Sequence, residues 1–123
     1  MYLGPHILVR LTLKATVDGG RKSPLPLPPL RFSCPVLFDD LRKDIRDIRD
    51  NIDHLKFFDC AFYVNPLSPV TPDGTSVDVP AIFHFPELVK DYLQVGNGFT
   101  LWEGKDIGHA KILKIIQDDA SQS

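Results

Sequence analysis

The sequence has few cysteines and no long apolar segment, and each scarcity excludes a class of protein. Two cysteines among 123 residues cannot build the disulfide framework of a small secreted domain, so we expect a cytoplasmic protein. No apolar run approaches the roughly 18 residues that cross a bilayer, and the N-terminal residues lack the pattern of a signal peptide. We therefore expect no association with membranes.

The chain also lacks an excess of positive charge. Fourteen basic and sixteen acidic residues give a net charge of −2, whereas a domain that attracts nucleic acid broadly is strongly basic. Apolar residues make up 43% of the chain and charged residues 24%, which is typical of a globular domain. The length predicts one domain, which we place at residues 1–117, with a flexible polar tail at 118–123.

Motifs of catalysis and of ligand binding are missing as well. The sequence has no phosphate-binding GxxxxGK[ST] loop, and its serines do not lie in the context of a nucleophile elbow. Cys34 and Cys60 are not spaced for a metal site, and both share the parity of apolar neighbours, which indicates buried side chains. We expect no cofactor, no metal and no catalytic residue. The alternative is a small hydrolase or isomerase that uses His84 or His109 beside a carboxylate.

Alternation of apolar and polar residues predicts a mostly β protein. It is clearest at residues 7–17 and ends at Gly19 and Gly20, which suit a tight reversal. Further strands are predicted at 30–38, 58–64, 80–86, 99–103 and 107–116. A proline-rich connection at 24–29 and an exposed loop at 65–79 separate them. Five or six strands indicate a small barrel or a sandwich.

At Asp39 the period changes from two to that of a helix. Apolar residues at 41, 45, 48, 52 and 55 follow spacings of four and three and predict an amphipathic helix over about 39–54. Its other face is densely charged and is either an ordinary solvated face or a docking surface. The candidate partner-binding residues on it are Arg42, Arg46, Asp47, Arg49 and Asp50. One or two further helical turns are predicted at 86–93, with Pro86 at the first position.

Two blocks of the sequence resemble the third domain of elongation factor Tu. The alternating strand that leads into DGGRKSP at residues 18–24 is similar to the strand and Gly-Gly-Arg-x-Ser/Thr-Pro segment with which that domain begins. The block GFTLWEG at 98–104, followed by IG at 107–108 and ILKI at 112–115, resembles its closing hairpin. The blocks occur in the family's order and bracket most of the chain.

The resemblance implies a six-stranded antiparallel β-barrel of the translation-factor type that is not an enzyme. In that family the domain contacts the aminoacyl-tRNA stem, the GTPase domain and the exchange factor. This sequence departs from the family because it contains no GTPase domain, has LPPLR at 27–31 in place of Tyr-Arg-Pro, and has the predicted helix where the family has a short connection. Only Arg21 and Lys22 match basic residues of the family, at the corresponding turn.

We therefore predict a non-enzymatic binding module with a protein partner. The helix at 39–54 and the loop at 65–79 are the predicted contact surfaces, since insertions at a barrel rim often carry new interactions. An RNA- or tRNA-binding translation accessory is an alternative, with an affinity that falls steeply as salt rises. Its candidate residues are Arg21, Lys22, Arg31 and Trp102. A protein that inhibits another by mimicking the elongation-factor domain also stays open, and the oligomeric state is not determined.

Overall fold

Six strands form a closed antiparallel barrel. The computed structural model describes residues 7–26, 31–42 and 55–116. The strands are Ile7–Leu13 (β1), Phe32–Phe38 (β2), Phe58–Phe62 (β3), Ser76–Phe83 (β4), Gly98–Trp102 (β5) and Asp106–Ile115 (β6). Around the barrel their order is β1-β4-β3-β2-β5-β6, and each strand is antiparallel to both neighbours. The predicted six-stranded antiparallel barrel is confirmed.

Helical structure within the described residues is short. Pro86–Val89 forms a single α-helical turn (α1) that continues into a 3₁₀ turn at Lys90–Tyr92, which confirms the turns predicted at 86–93. Asp39–Leu41 is also a 3₁₀ turn. The rest of the helix predicted at 39–54, from residue 43 onwards, lies outside the described residues, as does the tail at 118–123.

The interior of the barrel is filled by apolar side chains. A period of two sends alternate side chains of a strand to opposite faces, and Ile7, Val9, Leu11 and Leu13 of β1 are accordingly all fully buried. Aromatic rings fill much of the remaining space. Residues on the outer face are therefore the ones available to ligands.

β1 ends earlier than the alternation predicts. Its ladder with β4 stops at Thr12, and its ladder with β6 stops at Leu13. Beyond these residues the Lys14 N–H still donates to the Ile107 carbonyl of β6, and the Thr16 N–H donates to the Pro72 carbonyl in the loop before β4. The chain instead forms a 3₁₀ turn at Thr16–Asp18, and Val17, which the alternation placed inside, is 93% exposed. The strand prediction for 14–17 is wrong, because the amides of Asp18 and Gly19 donate back to the carbonyls of Ala15 and Thr16 and turn the chain.

β4 begins earlier than predicted, and the preceding loop is correspondingly shorter. The strand runs from Ser76 because the whole segment pairs with β1, and the predicted loop at 65–79 is thus wrong at its end. Val70 inside the loop is fully buried, and its carbonyl accepts a hydrogen bond from Leu25 in the proline-rich connection. Only part of the loop is exposed. β4 ends at Phe83, so His84 and Phe85 lie beyond the strand rather than within it.

Two prolines lie within strands, and the hydrogen-bond directions explain why they are tolerated. Successive residues of a strand direct their amide groups to opposite neighbours. The nitrogen of Pro80, which carries no hydrogen, is on the β3 side of β4, just past the end of the β3–β4 pairing. The Pro80 carbonyl there accepts a hydrogen bond from the Tyr63 N–H. The nitrogen of Pro35, which also carries no hydrogen, is on the β5 side of β2. The pairing of β2 with β5 ends at the next residue, Val36, so no hydrogen bond of that pairing is lost. Neither proline removes a hydrogen bond from an established pairing.

Candidate binding surfaces

The two sequence blocks that carry the family resemblance lie in contact. The Nε atom of Arg21 is 3.1 Å from Oε1 of Glu103, and the Lys105 Nζ donates a hydrogen bond of 3.1 Å to the carbonyl of Gly20. The Arg21 guanidinium also lies over the ring of Phe32, 5.0 Å from its centroid. These contacts fasten the turn at 18–24 to the β5–β6 hairpin. Arg21, with 18% of its side chain exposed, thus contributes to the packing of the barrel.

Glu103→Gln is expected to lower the free energy of unfolding by about 1 kcal/mol. The Nη1 atom of Arg21 is buried without a hydrogen-bond partner among the described residues, so loss of the Glu103 charge leaves a partly buried cation uncompensated. Asp78→Asn is the matched control, because Arg10 and Asp78 are also 3.1 Å apart but about half exposed. Urea denaturation should give a change below about 0.5 kcal/mol for this control. Equal losses in both variants would contradict the interpretation.

The remaining predicted partner-binding residues are distributed over the barrel. Lys22 is exposed, and the exposed Arg31 lies over Tyr63 with a distance of 5.9 Å to the ring centroid. Arg42 follows β2 at its opposite end and donates a hydrogen bond of 2.8 Å to the Thr100 hydroxyl. The length of β2 thus separates Arg31 from Arg42. Four further residues lie outside the described part of the chain: Arg46, Asp47, Arg49 and Asp50.

A polar cluster on the outer face of β5 and β6 was not predicted as a unit. The Nε2 atom of His109 lies 3.0 Å from Oδ2 and 3.2 Å from Oδ1 of Asp39. Gly98 provides the space for this pair, since a Cβ at that position would overlap the imidazole ring and lie 2.8 Å from Asp39 Oδ2. Together with the Arg42–Thr100 bond, the pair holds residues 39–42 against the barrel.

His109 also borders an open groove of about 400 Å³. Lys14 and Asp106 form an ion pair of 3.9 Å within its lining. Asp18 and Asp73 line it as well, and the backbone N–H of Thr75 holds the pKa of the Asp73 carboxyl below its usual value. A histidine oriented by a carboxylate at the edge of a groove is an arrangement used for general acid–base chemistry.

His84, the other histidine proposed for catalysis, has a different environment. Its side chain is exposed just beyond β4, and its backbone N–H donates to the Asp59 carbonyl. No hydrogen bond or ion pair of its imidazole is present among the described residues, so the structure places only His109 of the two beside a carboxylate.

An apolar surface lies at the start of β3 and the end of β4. Phe85 and Leu88 are 56% and 58% exposed, and they border a groove of about 230 Å³ together with Phe57, Phe58 and Phe83. Phe57 also packs against Trp102 with 6.1 Å between ring centroids, which extends the apolar surface to β5. We call Phe57, Phe85, Leu88 and Trp102 the aromatic surface. Of these four residues, only Trp102 was among the predicted partner-binding residues. Phe85 was predicted to lie inside a strand.

Both cysteines are free and buried, as their parity predicts. Burial raises the pKa of the Cys34 thiol from 9.0 to about 12, and it also raises the pKa of the Cys60 thiol. No cluster of three or more His, Cys, Asp or Glu side chains that could hold a metal ion is present within 7–26, 31–42 and 55–116.

Comparison with protein-family models and with curated proteins finds no match to this chain. Within the part of the chain that the structure describes, no helix has the length and hydropathy needed to cross a membrane. The closed barrel and the geometry of its outer surfaces are therefore the observations from which a function is inferred.

Proposed function

We propose that this protein is a non-enzymatic binding module that recognises a protein partner through the aromatic surface. The proposal rests on the groove that Phe57 and Leu88 border, where large apolar side chains are exposed at the surface of the folded domain. Isolated exposed apolar residues are common, whereas a groove lined by several of them is typical of an interaction site.

The closed barrel limits how a partner can be recognised. All six strands are paired on both sides, so no strand edge within the described barrel is open for an added strand. The apolar residues of the interior belong to one packed cluster. Recognition therefore depends on outward-facing side chains, and the aromatic surface offers the largest apolar ones.

The dimensions of the groove favour a peptide segment with an apolar anchor. A volume of about 230 Å³ accommodates a large side chain such as leucine or phenylalanine. Lys56 and Asp59, one charge of each sign, also line the groove and supply polar contacts at its rim. An apolar centre with a polar rim is the usual arrangement of a protein interface.

Peptide selection tests this proposal. Peptides selected from a random displayed library against the folded protein should carry an aromatic or branched apolar anchor. Their affinity, measured by calorimetry, should fall at least about tenfold for Phe85→Ser and Leu88→Ser. Leu67→Ser is the control, because Leu67 is also an exposed apolar residue, at 90%, but lies in the loop before β4. Peptides that bind Leu88→Ser as tightly as the unchanged protein would refute the proposal.

A relationship to the third domain of elongation factor Tu is part of this proposal. Its support is the contact between the two resembling blocks, through Arg21 with Glu103 and through Gly20 with Lys105. A domain of that type that acts without catalysis agrees with a binding role. The RNA-binding alternative is not favoured, since Arg21 is ion-paired and mostly buried.

One observation favours a second candidate function, a small hydrolase or isomerase that uses His109. Asp39 orients the imidazole at the edge of the larger groove, which is the arrangement that this function requires. A screen of ester and peptide substrates should then give a turnover that His109→Asn abolishes and His84→Asn leaves unchanged. Turnover retained by His109→Asn would exclude this candidate.

A further inference from the structure

Cys34 and Cys60 face each other across β2 and β3. They are directly opposite in the antiparallel register, although 25 residues separate them in the sequence. In β3, Asp59 and Tyr63 direct their backbone groups to β4 through bonds with His84 and Pro80. Backbone groups of successive residues point to opposite neighbours, so Cys60, next to Asp59, directs its backbone groups to β2. It therefore forms a hydrogen-bonded pair with Cys34.

The Cα spacing of such a pair lies within the range of a disulfide. Directly opposite residues of a hydrogen-bonded pair have Cα atoms about 5.5 Å apart, and most disulfides join Cα atoms separated by about 5.5 to 6 Å. Both side chains belong to the buried core and hence point to the same side of the sheet. A bridge would keep the strand register, but the Cβ atoms, about 5.5 Å apart in a hydrogen-bonded pair, would have to approach to about 4 Å.

The same burial protects the thiols once the barrel has closed. Cys34 is 4% exposed and Cys60 is fully buried. Burial raises the pKa of both thiols, and the neighbouring Cys34 raises that of Cys60 further. Since the thiolate is the reactive species, neither cysteine of the folded protein is expected to react at neutral pH.

We propose that Cys34 and Cys60 are a disulfide-forming pair whose redox state is set while the barrel folds and is retained after it closes. The oxidant is a low-molecular-weight disulfide. One cysteine thiolate attacks it, forms a mixed disulfide and releases one small thiol. The second cysteine then attacks the protein sulfur of the mixed disulfide and releases the other small thiol. Two protein thiols are oxidised, and the small disulfide is reduced to two thiols.

The bond would connect the two strands that flank residues 39–57. It closes a loop of about 25 residues and restricts the unfolded chain, which stabilises the folded barrel. The melting temperature of the oxidised protein should exceed that of the reduced protein by about 10 °C.

Refolding under controlled redox conditions tests the proposal. The full chain is unfolded in denaturant with a reductant, and is then refolded with either a reduced small thiol or a mixture of oxidised and reduced glutathione. We expect the second product to be a monomer that is about 2 Da lighter and melts about 10 °C higher. Native reduced protein kept in the same mixture should retain its mass for hours.

Three results would overturn the proposal. They are a refolded product that stays reduced, a product that holds only mixed disulfides or intermolecular bonds, and an oxidised monomer that melts below the reduced one. Cys34→Ala and Cys60→Ala are the controls and should show no loss of 2 Da. The comparison of oxidised with reduced unchanged protein needs no variant, so the test does not depend on how well these variants fold.

Discussion

Phe38→Ala is expected to lower the free energy of unfolding by about 4 kcal/mol. The Phe38 ring packs against Phe58, Phe83, Tyr92 and Phe99, with centroid distances between 4.9 and 6.0 Å. These neighbours come from three strands and from the 3₁₀ turn after α1. Removal of the ring leaves a cavity that several elements would have to close together, so little of the lost contact can be recovered.

Phe85→Ala is the matched control for this prediction, because it removes the same ring from a position that is 56% exposed. Its free energy of unfolding should change by less than about 1 kcal/mol. Urea denaturation followed by circular dichroism measures both variants. If the two substitutions lower the free energy of unfolding by the same amount, the ring of Phe38 is not at the centre of the core.

Gly20→Ala is expected to destabilise the barrel by about 3 kcal/mol. A Cβ at this position would overlap the carbonyl oxygen of Lys14 and lie 2.7 Å from its carbonyl carbon. The obstacle is backbone, which cannot rotate away as the end of a side chain can. The turn at 18–24 would have to separate from β1, and its contacts with the β5–β6 hairpin would weaken.

Gly19→Ala controls for the conformational effect of losing a glycine. Gly19 has a φ of 92°, but a Cβ there would meet no atom within 4 Å. Its substitution should therefore cost only the strain of the left-handed conformation, about 1 kcal/mol. Thermal denaturation of the two variants shows which of them is less stable. A greater loss for Gly19→Ala than for Gly20→Ala would contradict the close approach to Lys14.

The features of the fold that could be predicted from the sequence are those that depend on the local alternation of apolar and polar residues. β6 and β5 agree with their predictions within one residue at each end, since both pair with neighbours over the length in which apolar residues alternate. The burial of Cys34 and Cys60 followed from parity for the same reason. Strand ends were predicted less well where pairing sets the boundary, as at Leu13 and Ser76.

The candidate sites depend on pairings between distant residues, and local patterns do not record these. Asp39 and His109 are separated by 70 positions and meet because β2 lies beside β5 and β5 beside β6. The opposition of Cys34 and Cys60 likewise depends on the register of β2 with β3. Phe85 was missed because its alternation with Phe83 continues past the end of β4.

The most direct test of the protein-binding proposal is nuclear magnetic resonance mapping of a selected peptide on the isotopically labelled protein. We expect the amide shifts to change at residues 56–59, at residues 83–88 other than Pro86, which has no N–H, and at Trp102, around the aromatic surface. Changes confined to Thr12, Lys14 and His109, with the aromatic surface unmoved, would contradict the proposal and favour the groove beside the Asp39–His109 pair.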